Sequence, residues 1–138
     1  MIYMMTISSD YVQAINSGRK IIELRKFVPR GMQRGDRVIV VEKCSDSKVA
    51  LMFDVDGIIL LPPSQMWILY YKELAMNYVD YLRYTDNCSL VYGIKIRNVR
   101  KPRYDVDCTY FGVKASPKNY ERVHTSSWIL ASSFNLNF

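Results

Sequence analysis

Short apolar segments separated by polar turns dominate the first 63 residues. The segment at 2–7 is apolar and is followed by the run Ser-Ser-Asp, whose residue types start helices. Apolar spacing then predicts a helix over residues 9–17, ended by Gly18. Three more apolar segments predict strands, the last of them bent near Gly57 and ended by two prolines. These strands lie at 20–27, 36–43 and 48–61.

The rest of the chain carries one long amphipathic segment and one clear strand. Apolar residues recur at spacings of three and four, which predicts a single long helix over residues 65–83 with Glu73 on its polar face. Residues 89–99 alternate between apolar and polar, as in a half-buried strand. Beyond them, prolines and a glycine interrupt scattered apolar residues. We expect loops and one or two short strands there, and a tail of uncertain order after about Ser126.

Five to seven strands with two helices predict an α+β fold. We expect a small barrel with the short N-terminal helix at one end and the long helix packed across it. A length of 138 residues, 49% of them apolar and 23% charged, fits one globular domain. No apolar window of about 18 residues occurs, and the start has no basic targeting segment. With three scattered cysteines, we expect an intracellular protein, cytoplasmic or nuclear, with reduced thiols.

Positive charge is concentrated in two stretches of the chain. The formal net charge is +6, and 19–37 holds seven basic residues while 95–103 holds five without an acid between them. If both stretches lie on one face, that face attracts phosphate. The candidate nucleic-acid contacts are Lys20, Arg25, Lys26, Arg30, Arg34, Arg37, Arg97, Arg100, Lys101 and Arg103.

Three charged residues, Lys20, Glu23 and Arg25, interrupt an apolar segment with high strand propensity. They form either the solvated face of an ordinary strand or the rim of a pocket for a polar ligand. Alternation places Glu23 and Arg25 on one face and Lys20 on the other. Lys20, however, directly follows the turn at Gly18 and Arg19, so its side chain can swing toward the pocket opening that Glu23 and Arg25 would line.

Common enzyme signatures do not occur in the sequence. His124 is the single histidine, which excludes a histidine-rich metal site and leaves one candidate base for a catalytic triad. Neither a P-loop nor a dinucleotide-binding glycine pattern is present. We therefore expect neither a metal nor a cofactor.

The chain resembles ASCH domains, a family of the PUA-like superfamily of small β-barrels. The family pattern G-x-K-x-x-E-x-R is matched by Gly18, Lys20, Glu23 and Arg25. The later segments LPPSQMW and SLVYGIKIRNVRKP also agree, and ASPKNYERV resembles the closing segment of the family, with Asn119 where a serine is common. The resemblance predicts an ASCH domain over residues 1–124 and a C-terminal extension over residues 125–138.

The resemblance implies a cleft that is lined by the charged motif and closed by the long helix. Members are similar to RNA-binding PUA domains, and some are implicated in nucleic-acid binding or RNA cleavage. A small bacterial branch hydrolyses N4-acetylcytidine with a Lys, a Thr and a Glu. Lys20 matches that Lys, Glu23 stands at the Thr position, and Glu73 is the nearest candidate for the Glu.

Our leading hypothesis is an intracellular domain that binds RNA or a modified nucleoside, with DNA as an alternative ligand, in this cleft. Lys20 and Arg25 would contact a phosphate or base carbonyl, and Glu23 would accept hydrogen bonds from an exocyclic amine. The first rival is a hydrolase on the same cleft, either a ribonuclease or an N4-acetylcytidine amidohydrolase, with Lys20, Glu23 and Glu73 as the catalytic residues. The second rival is a protein-interaction module whose basic face meets an acidic partner.

Overall fold

A curled six-stranded sheet organises the fold in the computed structural model, which describes residues 1–134. The strand order is β2-β5-β4-β3-β1-β6, in which β1 runs parallel to β3 and the other neighbouring pairs are antiparallel. The strands are β1 (Ile2–Ile7), β2 (Ile22–Arg25), β3 (Arg37–Glu42), β4 (Val49–Leu61), β5 (Val91–Arg100) and β6 (Tyr120–Arg122). The helices are α1 (Ser9–Asn16), α2 (Pro63–Leu74), α3 (Tyr78–Thr85) and α4 (Ser127–Ser133).

The sheet curls into a half-barrel because its longest strand is bent. The register of β4 against β5 shifts between Met52 and Asp54 and again between Val55 and Gly57. Such bulges increase local twist and turn a strand. Gly57 has a φ of +151°, a conformation that other residues rarely adopt. The predicted bend near Gly57 is therefore confirmed.

The central strands are buried on both faces, which explains their continuous apolar runs. On the inner face of the curl, Met5 and Phe53 pack in one cluster with Ile15 of α1. On the outer face, Met4 and Met52 pack against the C-terminal part of the chain. That part contributes Cys108, Phe111, Val113, Val123, Leu130 and Phe134 to the outer cluster.

The α+β class and the strand number are confirmed, but the single long helix over residues 65–83 is wrong. α2 ends at Leu74, since Ala75 is left-handed with a φ of 50°. α3 then starts at a new cap, where the Asn77 side chain accepts a 2.8 Å hydrogen bond from Val79 N. The apolar spacing continues across the break because both helices bury residues in the same cluster, in which Trp67 contacts Tyr81 of α3.

The tail expected to lack clear order contains a helix within the described residues. The Ser126 side chain caps α4 by accepting a hydrogen bond from Ile129 N, and Leu130 and Phe134 are fully buried. Residues 135–138 of the predicted extension lie outside the described part of the chain. Among residues 1–134, no helix is long and apolar enough to cross a membrane.

Candidate functional site

A cavity of about 490 Å³ opens where the curl brings β1 close to β2. α1, α3 and the segments that flank the strands and helices supply the rest of its wall. The volume lies within the range of small-molecule sites, which is about 300–1,000 Å³. The lining residues are Thr6, Ile7, Ser8, Tyr11, Lys20, Glu23, Leu24, Arg25, Lys43, Met76, Asp80, Arg83 and Tyr84.

Lys20 reaches the cavity because it precedes β2 and follows a turn. Gly18 has a φ of +81°, and the Lys20 backbone N–H donates to the Ala14 carbonyl at 3.0 Å. The Lys20 ammonium donates to the Leu74 carbonyl at 2.7 Å and lies 3.7 Å from Glu23 Oε1. The prediction that the turn brings Lys20 to the same opening as Glu23 is therefore confirmed.

Arg25 ties the site to the rest of the half-barrel. Its Nε donates to Glu23 Oε2 at 3.1 Å, as alternation along β2 predicts for residues on one face. Its Nη2 donates to the Thr6 carbonyl at 3.0 Å, and its Nη1 donates to the Asn119 carbonyl at 3.4 Å. All three guanidinium nitrogens therefore have protein acceptors. In this geometry Arg25 positions Glu23, and its contact with a phosphate stays a prediction.

Lys20 and Glu23 are buried together beneath the cavity, and Arg25 is largely buried beside them. The Lys20 side chain has no exposed surface and that of Glu23 is 6% exposed. Burial lowers the pKa of Lys20; Glu23 opposes this shift, and Arg25 reinforces it. The Lys20 ammonium also lies 4.5 Å from the centre of the Tyr11 ring. Its carbonyl, carboxylate and ring contacts compensate for part of the cost of burial.

Tyr11 and Tyr84 supply aromatic rings to the cavity wall. Burial raises the pKa of Tyr11, and the nearby carboxylates of Asp80 and Glu23 raise it further. Burial also raises the pKa of Tyr84, although Arg25 opposes that shift. Both phenols therefore keep their protons at neutral pH and offer hydrogen-bond donors as well as ring faces.

An exposed rim of mixed charge surrounds the buried network. It consists of Lys43, which directly follows β3, and Asp80 and Arg83 from α3. With the buried network included, four cations and two carboxylates line the cavity, so two positive charges are in excess. Sequence reasoning did not select the rim residues or the two tyrosines. The helical spacing of Asp80, Arg83 and Tyr84 is the one local signal that could have grouped three of them.

Glu73, expected to be a catalytic residue, is not among the residues that line the cavity. It lies in the last turn of α2, half-buried, and its backbone carbonyl accepts a hydrogen bond from Ile21 N at 2.9 Å. The α3 carboxylate that does line the cavity belongs to Asp80. The break at Ala75 explains this difference, because α3 does not continue the helical phase of α2.

The two basic stretches meet in space, but they meet around aspartates of β4. Asp54 pairs with Arg37 at 3.6 Å and with Arg100 at 2.6 Å. Asp56 pairs with Arg34 at 3.3 Å and with Arg97 at 3.5 Å. Half of the positive charge of these four arginines is thus neutralised.

The other predicted contacts, which are all exposed, are Lys26, Arg30, Lys101 and Arg103. The ammonium of Lys26 lies 4.9 Å from the centre of the Tyr84 ring.

Comparisons with known proteins agree with this architecture. The structure is similar to the crystal structure of ASCH from Zymomonas mobilis, with a TM-score of 0.84 and 15% identity over 96% of this chain and 95% of that chain. A single-residue variant of the Z. mobilis protein matches with a TM-score of 0.76 and 14% identity over 87% and 88% of the two chains. Protein PF0455 from Pyrococcus furiosus matches with a TM-score of 0.50 and 18% identity over 70% and 96%. At these identities the likeness shows the fold alone.

The family itself is shown by the sequence. No curated protein matches this chain significantly. The model of the ASCH domain family, however, matches residues 5–103, which is well over half of the chain and includes every residue of the buried network. The chain therefore belongs to the ASCH domain family.

Proposed function

We propose that this protein binds RNA or a modified nucleoside in the cavity above Lys20, Glu23 and Arg25. The observation that carries the proposal is the buried network of two cations and one carboxylate beneath a cavity lined by two tyrosine rings. Buried ionic groups are expensive, and clusters of them in a cleft mark candidate functional sites. A nucleobase suits this environment because its flat face stacks on aromatic rings and its edge makes hydrogen bonds.

The excess positive charge of the lining favours a ligand that carries phosphate. Lys43 and Arg83 are exposed at the rim, where they are able to contact a phosphodiester outside the cavity. Such contacts release counterions from the nucleic acid and give affinity without sequence preference. RNA in which one base enters the cavity would use both parts of the site.

Binding of a short single-stranded RNA at several salt concentrations tests the proposal. The double variant Lys43→Ala/Arg83→Ala should bind more weakly, and its slope of log affinity against log salt should fall by about 1.4, since each contact to single-stranded nucleic acid contributes about 0.7. The matched control is Lys114→Ala/Lys118→Ala, which removes two exposed lysines outside the lining. Single-stranded DNA of the same sequence reports whether the 2′-hydroxyl contributes.

Unchanged affinity and an unchanged salt slope in the rim variant would remove the cavity from the RNA interface. If RNA, DNA and nucleosides all fail to bind the wild-type protein, the proposal is wrong. That result would favour the alternative raised by the sequence, a basic face that meets an acidic protein.

Hydrolysis at the same cavity is the second candidate, and the burial of Lys20 favours it. Burial lowers the pKa of Lys20, and an amine that loses its proton acts as a base or nucleophile. Glu23 lies 3.7 Å away and is positioned to relay the proton. The substrates to test are RNA and N4-acetylcytidine, whose amide hydrolysis gives cytidine and acetate.

Two substitutions at Lys20 separate hydrolysis from binding. A chemical role predicts that turnover is lost in both Lys20→Ala and Lys20→Arg, because a guanidinium keeps its proton. If the wild-type protein turns over neither substrate, hydrolysis is contradicted and binding is favoured.

A further inference from the structure

The side chains of the buried network differ in what remains available to a ligand. Arg25 uses its three nitrogens on Glu23, Thr6 and Asn119. Lys20 directs its ammonium to the Leu74 carbonyl, the Glu23 carboxylate and the Tyr11 ring, and its side chain is completely covered. Lys20 is therefore enclosed by the protein, and each guanidinium nitrogen of Arg25 already has a protein acceptor.

Glu23 is the member of this network that retains acceptor capacity for a ligand. A carboxylate offers about four lone-pair sites. Within the described residues, one hydrogen bond, from Arg25 Nε, reaches it, since Lys20 at 3.7 Å contacts it as an ion pair. Arg25 lies at Oε2 and Lys20 at Oε1, so the two cations hold the group from both sides. The side chain lines the cavity and keeps a small exposed surface.

We infer that Glu23 is the residue that selects the ligand, and that it selects a guanine base by accepting two adjacent N–H donors on the base edge. Lys20 and Arg25 act as positioning residues that fix the orientation of the Glu23 carboxylate. The inference rests on the proposed function, because it requires that the cavity holds a nucleobase.

The donor pattern of the four bases leads to guanine. A carboxylate held in one orientation presents two acceptors side by side and no donor. Guanine offers two adjacent donors, N1–H and the N2 amino group, and matches both oxygens. Adenine and cytosine offer one amino group beside a ring nitrogen whose lone pair would face the second oxygen. Uracil offers one N–H between two carbonyl oxygens, so it is mismatched on either side.

Binding of five nucleoside 5′-monophosphates to the wild-type protein tests the inference. GMP should bind about tenfold or more tightly than AMP, CMP and UMP, because mismatched bases leave an acceptor unpaired against the carboxylate. IMP is the sharpest comparison, since it differs from GMP only in lacking the N2 amino group. IMP should also bind about tenfold more weakly than GMP, through the loss of one hydrogen bond to a charged group.

Glu23→Gln supplies the second arm of the experiment. An amide presents one acceptor and one donor, so the preference for GMP over IMP should disappear in this variant. Glu73→Gln is the matched control, because Glu73 is a half-buried glutamate outside the lining, and it should keep the preference. If Glu23→Gln fails to fold, the comparison of GMP with IMP on the wild-type protein still decides the question.

The outcomes separate this inference from the proposed function. Equal affinities for GMP and IMP, or tightest binding of CMP, would overturn guanine selection. If the variant Lys43→Ala/Arg83→Ala then still weakens every nucleotide, the cavity remains the binding site and only the inference is wrong. If neither the five nucleotides nor RNA binds the wild-type protein, the proposed function fails, and the inference fails with it.

Discussion

Arg25 Nη2 donates a 3.0 Å hydrogen bond to the Thr6 carbonyl although the strands of these two residues are not neighbours in the sheet. β2 forms one edge, and β1 lies four places away in the strand order. The same guanidinium holds the Glu23 carboxylate through Nε. One side chain therefore both bridges the open side of the curl and orients a group of the cavity, so closure of the half-barrel and formation of the site are coupled.

Loss of Arg25 should destabilise the fold as well as the site. Arg25→Ala should lower the free energy of unfolding by about 3 kcal/mol, because it breaks a largely buried ion pair and leaves two carbonyls without their donor. Urea unfolding measures this change. The control is Arg30→Ala at an exposed loop position, which should change stability by less than about 0.5 kcal/mol. Equal stability of the two variants would show that Arg25 does not hold the curl together.

Asp54 should make stability depend on acid pH. Burial raises the pKa of Asp54, but hydrogen bonds from Arg100 and Asn98 and the charges of Arg100 and Arg37 outweigh burial and lower it below 3.8. Because the pKa is lower in the folded state, the stabilisation is present above about pH 4 and is lost as pH falls through the folded value. Stability lost on acidification should therefore be smaller in Asp54→Asn than in the wild-type protein.

Urea midpoints at neutral pH and at about pH 3 measure the Asp54 effect. The lower of these two pH values lies within the window in which an aspartate titrates. At neutral pH, Asp54→Asn should already be less stable, since the arginines lose their partner. Asp86→Asn, at an exposed position, is the matched control and should follow the wild-type curve. A wild-type acid dependence in Asp54→Asn would mean that other groups cause it.

A side chain at Gly93 should destabilise the fold, because β5 packs closely against Ile22 and Met66 at this position. A Cβ at this position would lie 2.9 Å from Ile22 Cγ2 and 3.2 Å from Met66 Cε. Met66 is flexible, but Ile22 is branched and buried in β2, so the contact strains the packing. Gly93→Ala should cost about 1–3 kcal/mol of stability.

A double-mutant cycle with Ile22→Ala tests the cause of the Gly93 effect. Removing the Ile22 side chain eliminates the closest contact, so Gly93→Ala should cost less in that background than in the wild-type protein. The free energies of unfolding of the four proteins give the coupling. Additive costs would place the strain elsewhere.

Local patterns predicted an element well where all of its signals lie within one short segment. The strand at 2–7, the helix at 9–17 and the bend at Gly57 all follow from periodicity and breakers within one segment. The convergence of Lys20 with Glu23 could also be predicted, because a turn immediately precedes β2. These features depend on neighbours in sequence, which a single sequence displays directly.

The missed features depend on contacts between distant segments. The break at Ala75 is hidden because α2 and α3 bury their apolar residues in one cluster. Pairing of Asp54 with Arg100 requires the register of β4 against β5, which no local pattern contains. The arginine clusters therefore looked like a free basic face in the sequence, although aspartates of β4 neutralise half of their charge.

Lys20 should produce an unusual dependence of stability on alkaline pH. Burial is the main cause of its lowered pKa, so the unfolded chain holds this proton more tightly than the folded one. Between the folded pKa and the unfolded value of 10.5, stability from this group should rise with pH, by no more than about 1.4 kcal/mol per pH unit. Lys20→Met keeps an unbranched side chain, one heavy atom shorter than lysine, and removes the titration. The free energy of unfolding of the wild-type protein, minus that of Lys20→Met, should therefore increase between neutral pH and about pH 9, where few tyrosines ionise because their ordinary pKa is about 10. A constant difference would show that Glu23 and the Leu74 carbonyl compensate fully for burial of the ammonium. Lys20 would then keep its proton and could not act as a base.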